Sequence, residues 1–309
     1  ECFASAVPAS LHYNRWIADR ANQFLEQVDE PFFLFVSFPD PHHPFSPPRP
    51  HSDAYDPNDV PVPRVVEGEL ERMPPYYREP LDPLEQGGLE RTSHLSETTL
   101  RRVIAYTYGM VQMIDQSVGQ VIEQLDRRQL LDHTTIIFSS DHGELLGDHG
   151  LLHKGPPPYR QLLEVPCMIK GPDIPSSRSV NALTSHLDLA PTLLDLAGIP
   201  NGEFHTEGQS LMPLLDGRAE TLRDHLFAEY HPRGMLHLYN QTIRTQQWRM
   251  TLYPEHADWG ELFDLKSDPY ENCNRFLDSS LETVKRELGQ TLHREFPPHP
   301  VIPQRVSKW

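Results

Sequence analysis

The sequence predicts an α/β protein of 309 residues, a layered α/β/α domain followed by a small antiparallel sheet and a closing helix. Three observations carry that expectation. Through about residue 217, segments with helical spacing of apolar residues alternate with short continuous apolar runs. Beyond it, strand-like pieces follow one another with no helix between them, as in an antiparallel sheet. Finally, the clusters of Asp, His and Lys stand directly after the apolar runs, where ligands gather in open α/β sheets.

Taken in order, Trp16, Ile17, Ala21, Phe24, Leu25 and Val28 recur at helical spacing from Leu11 to Val28. PFFLFVSF, Pro31 to Phe38, reads as a strand buried on both faces. Residues 39 to 96 are rich in Pro, Glu and Gly with little periodicity, a length of loop that usually serves function or lies on the surface. A long helix is expected from Glu97 to Arg128, its stripe formed by Val111, Ile114, Val118, Val121, Ile122 and Leu125. HTTIIFSSD, His133 to Asp141, reads as a second core strand, with another core run near Val165 to Ile169. SHLDLAPTLLDLAG holds a helix through Leu196 with Gly198 as its stop. LFAEYH, NQTIRTQQWRMTLY and ELFDL form the small sheet, and Ser279 with Glu282 has the capping-box pattern for a last helix to about Arg294. A domain boundary is expected near 217, giving 1–217 and 218–309.

The formal charge of −17 repels phosphate backbones and anionic lipid headgroups, so nucleic acid is not an expected partner. No apolar run is long enough to insert in a membrane, and ECFASAVPAS lacks the pattern of a signal peptide. Cys2, Cys167 and Cys273 share no metal-ligand spacing and are expected to be free thiols, which leans toward a cytoplasmic over a periplasmic setting. Proline, at 31 residues, implies stiff ordered loops.

Two constellations can carry chemistry. In SSDHGELLGDHGLLHKG, Asp141 and His142 follow a core strand and offer an oxygen and a nitrogen ligand, while Gly143 lets the backbone turn away and leave room for a metal or substrate. Lys154 is a point charge suited to a tetrahedral anion. Asp148 and His149 are expected to stabilise the loop rather than to ligate. In PDPHHPFSPP, prolines restrict the backbone around His42 and His43. Neighbours on extended backbone point opposite ways, so only one of these rings is expected to face the pocket. His205, Glu229, His231 and Arg233 are candidate substrate-binding residues at the rim, with His43.

With these residues in view, the chain resembles a type I sulfatase of the alkaline-phosphatase superfamily, in its C-terminal two-thirds. PFFLFVSFPDPHHPF, MIDQSVGQVIEQL, IIFSSDHGELLGDHGLLHKG, SHLDLAPTLLDLAGI and ELFDLKSDPYENCN match the family in order and spacing. The resemblance implies an alkaline-phosphatase-like fold and hydrolysis of a small-molecule or saccharide sulfate ester. It implies that Asp141 and His142 bind a divalent metal, usually Ca2+, that His42 touches the sulfate, and that Lys154 bridges sulfate and leaving oxygen.

The family also carries paired Asp metal ligands and C-x-P-S-R or S-x-P-x-R, whose Cys or Ser becomes the formylglycine nucleophile. Neither motif occurs here, and no cysteine has the required followers. The expectation is therefore a fragment, with an incomplete α/β/α domain and no activity by itself. A phosphonate monoester or phosphodiester hydrolase, with Mn2+ or Zn2+, and a noncatalytic truncated member remain alternatives, and homo-oligomerisation stays open.

Overall fold

The computed structural model describes residues 2–29, 31–78, 90–172, 174–200, 206–231 and 238–296. Helix α1, Tyr13–Gln27, begins where the His12 ring accepts the Asn14 N–H, and it buries Ala18, Ala21 and Leu25. That face packs on helix α2, Glu97–Arg127, which the Ser96 hydroxyl caps by accepting the Thr99 N–H. The expected stripes are met in part: Ala21 and Leu25 of α1 and Leu125 of α2 are buried, whereas other members are not. Trp16 is 61% exposed, and α2 buries Val103, Thr107, Met110, Met113 and Ser117 while Val111 and Ile122 face out. Alpha2 is apolar over more than one face, so period alone could not say which face meets a neighbour.

Strand β1, Glu90–Arg91, pairs with β3, Leu151–Leu152, and fastens the DHG-containing loop to the long 39–96 connection. That connection is neither a bare surface loop nor a lid, since Met73, Tyr76 and Tyr77 enter a core with Leu145, Tyr159, Tyr253 and Phe263. Strand β2, Ile136–Ser139, lies antiparallel to β4, Cys167–Lys170. Helix α3, Arg160–Leu163, stands between them in sequence.

The runs expected to be core strands are less covered than their composition suggested. Residues 31–38 are extended but join no ladder among the described residues, and half-buried Phe32, Leu34, Val36 and Phe38 alternate with exposed Phe33 and Phe35. Met168 is 60% exposed and β2 is only half-buried. An apolar run dictates extension, but burying its second face requires another layer, and these residues do not supply one.

Helix α4, Leu189–Leu196, ends as expected at Gly198, whose φ of +68° allows the left-handed stop. Short helix α5, Met212–Leu215, leads to Gly217 and the small sheet. Its strands, β5 His225–Tyr230, β6 Asn240–Thr245, β7 Trp248–Leu252 and β8 Gly260–Asp264, form an antiparallel meander in chain order. One face buries Ile243, Met250 and Leu262 under helix α6, Glu282–Glu295, which contributes Leu288 and Leu292. Asp278, not Ser279, prepares that helix, because its carboxylate accepts the Ser280 N–H and a 3-10 turn over Ser279–Leu281 comes first.

The opposite face of the sheet is polar and fully enclosed. Arg249 donates to Glu271 at 2.5 Å and Glu261 at 2.9 Å, and Tyr77, Tyr253 and Thr251 complete the network, all with negligible exposure. Its guanidinium also lies 4.5 Å from the Phe263 ring centroid. Asp188 in the SHLDLAPT segment is buried too, taking both Arg223 N–H groups at 2.6 Å and the Ser185 and Gln209 amides. The three cysteines are free thiols, and among the described residues no helix is long and apolar enough to cross a membrane.

Candidate active site

Asp141 and His142 leave the end of β2 on a loop shaped by close backbone packing. Gly143 donates its N–H to the Leu162 carbonyl at 3.0 Å, and a Cβ there would sit 1.8 Å from the Gln161 oxygen. The glycine thus makes room for α3 rather than for a ligand, correcting the sequence expectation. Past it, Leu145 N–H donates to the His153 carbonyl at 3.1 Å and Gly147 N–H to Leu151 at 2.9 Å, folding the loop back so that Lys154 returns toward β2.

The His142 Nδ1 lies 2.8 Å from the Gly143 carbonyl, which can only accept, so this nitrogen carries the proton. In the neutral ring Nε2 then presents its lone pair, 3.6 Å from Asp141 Oδ2. Two electron-pair donors facing each other call for a cation between them, and their spacing suits one ion held at about 2.0–2.6 Å from each. Partial burial opposes ionisation of Asp141, yet the His142 N–H, the His142 ring and the Lys154 charge hold its carboxyl below the usual value. A backbone carbonyl fixing the far nitrogen is the ordinary support of a metal-bound imidazole. The pair therefore fits a divalent metal as two of its ligands. Among the described residues no group of three or more His, Cys, Asp or Glu could complete the shell.

Asp148 and His149, the second pair of the block, serve the loop as expected. His149 is buried, donates from Nδ1 to Glu69 and stacks on Tyr159 with centroids 3.6 Å apart.

The His42 and His43 loop meets this block directly. Its backbone bends instead of running extended, so the two rings lie 4.2 Å apart rather than on opposite sides. His42 Nδ1 donates to the His43 carbonyl at 2.7 Å, and His43 reaches the His153 ring at 4.3 Å, beside Lys154. Asp40 anchors the loop from below: its buried carboxylate accepts from Tyr13 and, at 2.8 Å, from Asn14 Nδ2 at the start of α1. Neither Asp40 nor His153 stands out within its motif, because only folding reveals what a neighbour touches.

Of the rim candidates, His231 is exposed, 3.5 Å from Glu229 and with its ring 4.6 Å from Tyr239. The next residue, Asn240, donates to the Pro156 carbonyl at 2.8 Å and so ties this edge to the segment after Lys154. His205 and Arg233 lie outside the described residues. Cavities of about 400 Å³ near Arg178 and about 480 Å³ near Trp16 are lined by none of Asp141, His142 or Lys154. In this chain the candidate site lies at the end of β2, where Asp141's side chain is 85% exposed.

The sulfatase family model matches residues 9–199, which include both loops. The chain belongs to the sulfatase family. A model for the C-terminal part of N-sulphoglucosamine sulphohydrolase matches residues 147–296, overlapping it and adding the small sheet. Among curated relatives, a choline-sulfatase of Rhizobium meliloti is 33% identical over 87% of this chain and 52% of its own length. An arylsulfatase of Clostridium perfringens is 30% identical over 86% and 54%. The chain thus spans about half the length of the curated relatives it matches. The solved phosphonate monoester hydrolase of Agrobacterium radiobacter superposes with a TM-score of 0.82 at 28% identity, over 94% of this chain and 62% of that one. The fold is that of the sulfatases and phosphonate hydrolases of the alkaline-phosphatase superfamily.

Proposed function

We propose that these residues form the metal, sulfate and leaving-group side of a sulfuric ester hydrolase acting on sulfate monoesters of small molecules or saccharides. The observation that carries the reading is that the two motifs meet: His43 of the proline-rich loop lies against His153, the neighbour of Lys154, on the loop that starts with Asp141 and His142 and folds back through the Leu145–His153 hydrogen bond. Membership of the sulfatase family supports the reaction class.

Asp141 and His142 would hold the divalent ion, which when bound supplies positive charge to the anionic ester. Lys154 brings a second charge to the leaving oxygen, where negative charge grows as the ester bond breaks. Only that growth separates transition state from ground state, so the lysine is rewarded most when the leaving group is poor. His42, its Nδ1 committed to the His43 carbonyl, turns Nε2 outward to contact a sulfuryl oxygen. The nucleophile, a formylglycine in this reading, and the remaining metal ligands would come from outside these 309 residues, which contain neither motif.

A second reading, phosphonate monoester hydrolysis, is favoured by the imidazole donor, since nitrogen suits Zn2+ better than it suits Ca2+, whose shell is typically all oxygen. The likeness to the Agrobacterium enzyme supports it as well. Steady-state turnover of 4-nitrophenyl sulfate against 4-nitrophenyl phenylphosphonate, by full-length protein reloaded with Ca2+ or Mn2+, separates them. Preference for the sulfate ester sustains the first reading, and preference for the phosphonate overturns it.

A further inference from the structure

Lys154 sits between two fixed points. After it, the Pro156 carbonyl is held by Asn240. Before it, His153 adopts φ +63°, a left-handed conformation disfavoured for a residue with a Cβ. Such a conformation persists only where the surroundings over-determine it, and they gather at functional sites. Here the constraints are visible. The His153 carbonyl takes the Leu145 N–H, the buried pair Leu151–Leu152 is laddered to β1 just upstream, and the ring lies parallel to Phe45, at 4° and 5.8 Å, while touching His43 at 4.3 Å.

Phe45 is itself 3% exposed, and its carbonyl receives the Phe3 N–H, so the ring beneath His153 is a rigid seat. Two loops far apart in sequence are thereby locked at one side chain, directly adjacent to the cation of the site. We infer that His153 is a positioning residue: seated on Phe45 and against His43, it sets the direction of Lys154 and the placement of the histidine loop relative to it. This rests on the reading of Lys154 as the leaving-group cation. The flat ring, parallel to Phe45, does the positioning.

The test uses full-length protein and the better of the two 4-nitrophenyl esters above. His153→Asn keeps a residue that tolerates the left-handed backbone but removes the ring, and should lower kcat about 10- to 100-fold, the scale of a misplacement near 1 Å. His153→Phe restores a flat ring and should recover most of that loss. In the Lys154→Ala background the Asn change should cost nothing further, because residues acting as one unit are not additive. Should the Asn variant melt well below the parent, His153→Gly, which relieves the backbone, takes its place in the same comparisons.

Unchanged kcat in the ring-less variants, failure of Phe to rescue, or a full additional loss on top of Lys154→Ala would each overturn the assignment. A merely structural role would move melting and yet leave the penalties additive. Turnover of the phosphonate alone would defeat the sulfatase reading, whereas the same variants on the phosphonate would still decide the role of His153.

Discussion

The small sheet and the strand ends that carry Asp141 are built from similar apolar runs, but they meet water in opposite ways. In the sheet, Ile243, Met250 and Leu262 are covered by α6 on one side, and on the other Arg249, Glu261 and Glu271 are sealed beneath tyrosines of the 39–96 connection. At the strand ends, Phe33 and Phe35 stand in solvent, β2 has β4 as its partner and Asp141 is largely exposed. The difference teaches where each kind of damage should register. A region whose groups are all committed to one another transmits mutation into stability, while a region whose groups face outward transmits it into chemistry.

The sharpest probe of the open side is Asp141→Ala in the full-length protein. It should abolish metal retention and turnover together while the metal-free melting temperature stays nearly constant, since the side chain has little packing to lose. Metal analysis, kinetics and melting of the chelated protein check it, and a large melting loss would break the comparison. Its counterpart on the closed side is Arg249→Met, which strands two buried carboxylates and should cost about 3–5 kcal/mol, read by denaturant unfolding.

Lys154→Ala should lower the rate about 100- to 1000-fold with little change in melting, and more for an alkyl than for a nitrophenyl leaving group. Equal losses on both would remove it from the leaving oxygen.

Asp40 joins the two behaviours, being buried yet part of the site loop. Burial pushes its carboxyl up from 3.8 to about 7. Between those values the folded protein holds a proton that the unfolded chain releases, so this group's contribution makes stability fall as pH rises across the window and then level off. Asp40→Asn should remove that slope. The difference in melting temperature between variant and parent, followed from pH 4 to 8, should grow in the variant's favour and stop growing above about 7.

Much of this was legible beforehand. Local period identified α1, α2, α4 and the meander, and the DHG block pointed to Asp141 and His142 at the end of β2, because both depend on neighbours in sequence. What escaped depends on distant partners. Alpha2 could not declare its buried face, residues 31–38 could not announce a missing layer, and alternation failed at His42 and His43 because the loop bends. The Asp278 cap was misplaced by one residue for a simpler reason: Asp and Ser compete equally well for a helix start, and a 3-10 turn came first. Nothing local could foretell that His43 would meet His153.

The smallest effect should come from Phe35→Ser, within about 0.5 kcal/mol in stability, because a ring already 80% exposed has little burial to lose. Light scattering at rising concentration should nevertheless improve. Among the described residues the run 32–38 joins no ladder and no charge interrupts it, so in this chain its bare aromatic rings are open to a passing strand. Its flanking residues Pro31 and Pro39 act as gatekeepers. Lacking N–H groups, they cannot extend a ladder, so a foreign chain that zips onto this edge runs out of donors at both ends.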